Sequence, residues 1–206
     1  MTFKHIELEQ GTPEWFAARL GIPTASNLDD VLASGRGGGE SKTRAKYMRV
    51  LVGERMTGEP NPGFKSTAME RGNAMEPEAR SAFEISTGLT VVPCGFFRSD
   101  EHGFGASPDG LIGEDAVIEI KTKEPHILID LLERGTFPVE HAKQIQGQLW
   151  ATGRARCHFV AYWPRLPLFH CIVERDEALI ERIAAAVAEF NAEAATLETK
   201  LKGMLT

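Results

Sequence analysis

Gly105-Ala-Ser-Pro-Asp-Gly-Leu-Ile-Gly-Glu-Asp-Ala-Val-Ile-Glu-Ile-Lys121 is the stretch that decides the fold. Two short apolar runs flank the turn residues Gly113-Glu114-Asp115, so the segment predicts a β-hairpin. With Ile112 and Ala116 bounding the turn, Asp109 falls opposite Glu119, where paired Cβ atoms lie about 4.5–5.5 Å apart. Lys121, two residues beyond Glu119, leaves the strand on the same face. Ile118 and Ile120 leave it on the other, toward a core.

Opposed carboxylates repel, and one takes a proton unless a cation sits between them. Hard oxygen ligands beside a phosphate suit Mg²⁺ or Mn²⁺ better than zinc. A lysine at the same place supplies a point charge that can orient water or a phosphate oxygen. On spacing alone these residues fit a surface hairpin of alternating charge equally well. Two details favour a site for metal-dependent phosphodiester hydrolysis. Asp109 follows Pro108 at a bend, and Glu119 interrupts the apolar run Ala116–Ile120, where a buried charge needs a reason.

Upstream of the hairpin the chain reads as helices. Thr12-Pro13 opens one, a second covers Ser26–Ala33, and a third Ser41–Arg55. A fourth spans Ser66–Thr87, interrupted near Gly72 and Pro77 and closed by Gly88. Strands are expected over Phe96–Arg98, Gly105–Ile112, Ala116–Thr122, Cys157–Trp163 and Leu168–Glu174. Helices are expected over His126–Arg134, Val139–Thr152 and about 177–201. Helices flanking a small mixed sheet make an α/β (α+β) fold, read here as one domain over residues 1–206. Gly35-Arg-Gly-Gly-Gly39 is expected to be a mobile surface loop; it lacks the ending of a phosphate-binding P-loop.

Composition bounds the function classes. The 206 residues carry 29 acidic and 23 basic side chains, a net charge of −6, which at first sight opposes nucleic acid as a partner. Locally the balance reverses. Residues 36–71 hold eight Lys/Arg against four Glu, and residues 134–165 hold five against one. Lys42, Lys46 and Arg49 share a helical face that could line a DNA channel or simply face solvent. No apolar run reaches the roughly 20 residues of a membrane span. Residues 1–10 lack the regions of a signal peptide, and Cys94, Cys157 and Cys171 show no metal or disulfide spacing, so a reducing cytoplasm is expected. Each cysteine reads as a small buried hydrophobe.

Pro108-Asp109 with Glu119-Ile120-Lys121 is the pattern of the PD-(D/E)XK nuclease superfamily. From about Gln10 to Glu174 the chain resembles the lambda-exonuclease/YqaJ-type viral recombinase family. The likeness is carried by Ala18-Arg-Leu-Gly-Ile-Pro-Thr-Ala-Ser26, Arg71-Gly-Asn-Ala-Met-Glu-Pro-Glu-Ala-Arg80, Ala106-Ser-Pro-Asp-Gly-Leu111, Glu119-Ile-Lys121 and Gln144-Ile-Gln-Gly-Gln-Leu-Trp150. The resemblance implies a restriction-endonuclease-like core and a magnesium-dependent 5′→3′ exonuclease acting on linear double-stranded DNA. Such an enzyme releases mononucleotides and leaves 3′ single strands for recombination.

Residue by residue, the resemblance makes Asp109, Glu119 and the Ile120 carbonyl metal ligands, with Lys121 positioning the hydrolytic water. Glu76 matches the family's outlying acid, and Gln144 the glutamine of its last core motif. Two Mg²⁺ ions, replaceable by Mn²⁺, would need Glu76 besides Asp109 and Glu119. Pro77 disfavours helical geometry at Glu76, which leaves Glu78 as the alternative. Arg19, Ser26 and Ser107 match a pocket for a 5′-terminal phosphate, Arg36 a groove contact and Met69 an apolar wedge. Ser26 also reads as a helix N-cap. His141, three residues before Gln144, could face the same site; His158 and His170 read as structural. A homotrimer, a single-strand-annealing partner protein and a phage or prophage origin are further implications. An endonuclease or repair nuclease of the same fold, or a non-catalytic DNA-end-binding subunit, are the alternatives. An iron–sulfur version would need four cysteines where the chain has three.

Overall fold

The computed structural model describes the backbone of residues 3–35, 41–61 and 67–205, and the side chains of all of these except 67–69. Strand β1 (Lys4–Ile6) precedes helix α1 (Pro13–Arg19), and a 3₁₀ turn (Ala25–Asn27) runs into the short helix α2 (Leu28–Val31). Helices α3 (Lys42–Thr57) and α4 (Thr67–Thr87) follow, then strands β2 (Phe96–Ser99), β3 (Phe104–Ala106), β4 (Gly110–Ile112) and β5 (Ala116–Thr122). Helix α5 (Pro125–Arg134), a 3₁₀ turn (Val139–His141) and helix α6 (Ala142–Thr152) lead to β6 (Arg156–Tyr162), β7 (Phe169–Glu174) and α7 (Glu177–Lys202).

Local chemistry sets the helix starts. Thr12, Ser41 and Asp176 each accept a hydrogen bond from the backbone N–H three residues on, closing the first turns of α1, α3 and α7. Pro125 sits in the first turn of α5, where its missing N–H costs nothing.

The strands form two sheets. One is antiparallel in the order β1-β2-β3; the other, β4-β5-β6-β7, pairs β5 with β6 in parallel and its outer strands antiparallel. The hairpin register is the expected one, with Gly110 opposite Ile118 and Ile112 opposite Ala116. Helix α4 covers one face of the larger sheet through Ala79 and Phe83 on Ile118, Ile120 and Val160. Helices α5 and α6 cover the other through Leu128, Ile145 and Leu149 on Val117 and Phe159. A third apolar cluster joins α2, α3 and α7 to the smaller sheet, with Leu28, Val52, Phe104 and Phe190 at its centre.

Several expectations are corrected. The strand expected over Gly105–Ile112 is two strands in different sheets, separated by Ser107-Pro108-Asp109. Pro108 has no N–H to offer a ladder, so the chain changes sheets there. Helix α4 is not interrupted at Gly72 or Pro77. In the turn that follows, Ser81 Oγ donates to Pro77 O at 3.0 Å. Strand β1 had no forecast, and the 26–33 helix shrinks to a 3₁₀ turn and a single turn of α2. Cys94 and Cys157 are buried as expected, while Cys171 is half-buried. The loop at residues 36–39 and the helix start at Ser66 lie outside the described residues.

Close backbone packing gives a test of this arrangement. A Cβ on Gly95 would sit 2.2 Å from Ile6 O and 2.5 Å from Leu8 N, backbone atoms that cannot swing aside. Gly53, inside α3, has nothing within 4 Å of its would-be Cβ. Gly95→Ala is expected to cost about 1–3 kcal/mol, lowering the melting temperature by roughly 2–10 °C. Gly53→Ala should gain up to about 1 kcal/mol. Calorimetry of the two variants checks both signs, and a neutral Gly95→Ala would contradict the pairing of β1 with β2.

Candidate active site

Asp109, just before β4, meets Glu119 and Lys121 on β5 at the open end of the hairpin. Asp109 N donates to Ile118 O at 3.1 Å, and Ile120 N donates to Asp109 Oδ2 at 2.6 Å, so the carboxylate is held by the strand it faces. Glu119 is 1% exposed. A carboxylate so deep requires donors, and three supply them. Lys121 Nζ lies 2.5 Å from Oε1, Gln144 Nε2 donates to Oε1 at 2.6 Å, and Gln148 Nε2 donates to Oε2 at 2.5 Å. The glutamines, one turn apart on α6, clamp both oxygens.

Glu76 reaches the site from α4 across the sheet edge. Its carboxylate pairs with Arg80, one turn on, and Arg80 also donates to Asp109 O at 3.3 Å. Glu78, the alternative acid, accepts from Tyr162 Oη at 2.6 Å and is committed there. Of the two, Glu76 is the one that feels the charges of Glu119 and Lys121.

The electrostatics follow from crowding acids in a dry place. Burial, then Glu119 and Glu76, push the Asp109 carboxyl well above the usual carboxylate range. Burial, reinforced by Glu119 and opposed by Arg80 and Lys121, raises Glu76. Burial disfavours the charged Lys121, but Glu119 and Asp109 outweigh it and hold the ammonium above the ordinary lysine value. The acids are therefore short of positive charge, while the one lysine among them stays protonated. Among the described residues, no group of three or more acidic, His or Cys side chains closes on a single point. The fit to a divalent cation lies in the hard-oxygen donor set and in the uncompensated charge at Asp109.

A second group of polar residues stands beside this one. Trp15 Nε1 donates to Ser107 Oγ at 2.9 Å, and the Arg19 guanidinium lies 3.9 Å from the Trp15 ring centroid. Among the described residues Arg19 takes no ion pair, and burial lowers its pKa to about 10 against the pull of Tyr47 and Glu54. Ser26 lies on the 3₁₀ turn and does not cap a helix; its hydroxyl is 3.2 Å from Thr24 Oγ1. Thr24 bridges in turn to Gly105, two residues before Ser107. A cleft of about 1650 Å³ is lined by Trp15, Arg19, Glu76, Arg80 and Asp109, joining the two groups.

Other forecast residues lie apart. Lys42, Lys46 and Arg49 occupy the exposed face of α3. Arg36 and the Met69 side chain fall outside the described residues. His141 meets Lys123, not Gln144: Lys123 Nζ and His141 Nε2 are 2.9 Å apart. His158 and His170 stack on each other at 5.1 Å, with Phe83 at the edge of both rings. Sequence reasoning missed Gln148, Arg80 and Trp15. The first two carry an i,i+4 signal to Gln144 and Glu76; Trp15 carries none.

Residues 14–155 match the YqaJ-like viral recombinase domain. No curated protein sequence matches significantly. Among solved structures, LHK-Exo, an alkaline exonuclease from Laribacter hongkongensis that was also crystallised with dAMP, is 40% identical with a TM-score of 0.85, over 94% of this chain and 98% of that one. A phage-related exonuclease from Haemophilus somnus 129PT shares the fold alone, at 13% identity and a TM-score of 0.63 over 98% of each chain. On the extent of the domain match and this identity, the chain belongs to the YqaJ-like viral recombinase family.

Proposed function

We propose that the chain is a metal-dependent 5′→3′ exonuclease that digests one strand of linear double-stranded DNA to 5′-mononucleotides. The observation that carries this reading is the segment Ser107-Pro108-Asp109. Ser107 belongs to the Arg19–Trp15 group and Asp109 to the carboxylate site, with one rigid proline between them. A terminal phosphate held by Arg19, Ser26 and Ser107 would stand at a fixed distance from the bond being cut. That geometry suits removal of terminal nucleotides better than internal cleavage. The deoxynucleoside monophosphate in the LHK-Exo crystal agrees with a mononucleotide product.

In this reading Asp109, Glu119 and the Ile120 carbonyl would hold Mg²⁺ or Mn²⁺, and Glu76 would be the further acid available to a second ion. When bound, such ions supply an activated water and charge for the attacking and leaving oxygens. The chain's own part is positioning. Gln144 and Gln148 fix Glu119, the Ile120 N–H fixes Asp109, and Lys121, kept protonated by its acids, orients water or phosphate as a cation and does not take up a proton. Three copies around DNA and a single-strand-annealing partner complete the proposal, and the viral recombinase family fits a phage or prophage source.

Incubation with 5′-phosphorylated linear duplex and Mg²⁺ should release mononucleotides, leave a covalently closed circle intact and stop in EDTA. Asp109→Ala and Lys121→Ala should each lose about 100-fold or more in rate. Rapid nicking of the circle would favour an endonuclease, and full activity in Lys121→Ala would remove the site from consideration. Gln148→Leu keeps the volume but drops one donor to Glu119. It should weaken Mn²⁺ binding by calorimetry, and turnover with it, by about 10–100-fold.

The raised Asp109 pKa also fixes a sign for stability. A carboxyl whose folded pKa exceeds its unfolded one favours folding fully at pH below the unfolded value, and that contribution is lost as pH rises through the folded value. At pH 8 Asp109→Asn should therefore melt higher than the parent chain, with the gap closing in acid. Mg²⁺ should raise the melting temperature of the parent and not of the variant. A variant that melts lower at pH 8 would contradict the crowding of acids around Asp109.

A further inference from the structure

Beyond Lys121 the strand direction carries another lysine past the site. Lys123 N donates to Tyr162 O at 3.1 Å, so the extended backbone continues one residue beyond β5. Lys121 and Lys123 therefore leave the same face about 6.6 Å apart, two strand residues, a spacing comparable with the step between neighbouring phosphates on one strand. Lys123 is not buried into a carboxylate. Its ammonium donates to His141 Nε2 at 2.9 Å, and the His141 ring is stacked on the core residue Phe159 at 5.2 Å.

The choice of histidine matters. Burial, together with Lys123 and Lys121, pushes the His141 pKa down to about 4, so the ring is a neutral acceptor. It aims the ammonium without cancelling its charge, which a carboxylate at the same place would do. The nearest carboxylate, Glu140, lies 3.9 Å away and is 62% exposed, beyond hydrogen-bond contact. A second cation stands at the same end of β5. The Arg71 guanidinium is spread over Trp163 at 4.9 Å from the ring centroid, its Nε buried without a hydrogen-bond partner. Among the described residues its one ion pair, to the half-exposed Glu124, is 3.6 Å long. A Cβ on the neighbouring Gly72 would lie 3.4 Å from Thr122 Oγ1, so this turn of α4 packs close to the end of the strand.

We propose that Lys123, aimed by His141, and Arg71, spread on Trp163, form a second phosphate-binding station that grips the nucleic-acid backbone next to the phosphate being cut. The proposal rests on the nuclease function above and adds a contact at the C-terminal end of β5, with residues that do not line the cleft shared by Arg19 and Asp109. Lys123 and Arg71 touch the strand, whereas His141 is a positioning residue that acts through Lys123.

Salt dependence of binding counts phosphate contacts, because each neutralised phosphate releases counterions. The measurement uses the full chain carrying Asp109→Asn, in EDTA so that DNA stays intact, with a short 5′-phosphorylated duplex followed by fluorescence anisotropy from 50 to 200 mM salt. Lys123→Gln and Arg71→Gln should each flatten the log–log salt slope by about one. Lys123→Arg keeps the charge and should keep the slope, which separates lost charge from a disturbed fold. Unchanged slopes in both glutamine variants, or equal loss in Lys123→Arg and Lys123→Gln, would overturn the station while leaving the nuclease reading standing. No binding by the Asp109→Asn parent at 50 mM salt would overturn both.

Discussion

Everything at the centre of this molecule depends on keeping one carboxylate, that of Glu119, charged in a dry place. The strand around it, Ala116–Ile120, is otherwise apolar, and β5 is covered on both faces, so Glu119 is shut off from water. Breaking a buried charge away from its partners costs about 3–5 kcal/mol, and this one has partners from two elements. Lys121 comes from its own strand and two glutamines from α6. That demand fixes where α6 lies. The helix can sit close only because Gly147 has no side chain; a Cβ there would be 2.5 Å from Leu28 Cδ1 and 3.2 Å from Ala25 Cβ. The helix that clamps Glu119 with one face thus seats, with another, the turn that carries Ser26. The carboxylate cluster and the turn beside Arg19 are positioned by the same helix.

The same constraint explains why the site is electrostatically incomplete. Glu119 takes up Lys121 and both glutamines, leaving Asp109 with a single backbone donor among its strand neighbours and two acids nearby. Arg80 eases Glu76 and touches the Asp109 carbonyl, but it does not reach the Asp109 carboxylate. A purely structural cluster would pair these charges; here the mismatch is concentrated on Asp109, which lines the cleft beside Glu76. Perturbed carboxylates of this kind gather at functional sites because function needs charge that folding would avoid.

Legibility in the sequence followed the range of the interaction. The β4–β5 register was readable because a side-chain period of two allows one alignment that buries Ile118 and Ile120. Helix starts at Thr12, Ser41 and Asp176 were readable because a cap is local. Pro77 was read as an interruption because its missing N–H is local too, while the packing of Ala79 and Phe83 that keeps α4 on the sheet is not. The break at Pro108 was hidden for the opposite reason. Ser107-Pro108-Asp109-Gly110 marks a bend within Gly105–Ile112, but that the two halves join different sheets is set by tertiary pairing, invisible in sequence. In the site, the glutamine pair and the Glu76–Arg80 pair lay at helical spacing and could have been found. Trp15 meets Ser107 across 92 residues and could not.

Net charge proves to be the wrong quantity for deciding whether such a chain can hold DNA. Many of its cations are spent internally: Arg44 and Arg55 on α7, Arg156 on Asp115, Lys143 on Asp29, Arg175 on Glu177. Those pairs brace the fold and offer a phosphate little. Among the described residues, Arg19 and the α3 trio Lys42, Lys46 and Arg49 take no ion pair, and the pairs at Lys123 and Arg71 are longer than a hydrogen bond. Binding strength under the proposed function would be set by uncommitted cations such as these, because a cation already paired gains less by exchanging its partner for phosphate. They lie beside the hydrolytic carboxylates or on one exposed helix face, so an excess of acid elsewhere, screened within about 10 Å at 0.1 M salt, acts weakly on them. The acidic remainder then serves to discourage nonspecific adhesion while the local field at the cleft stays attractive to a polyanion.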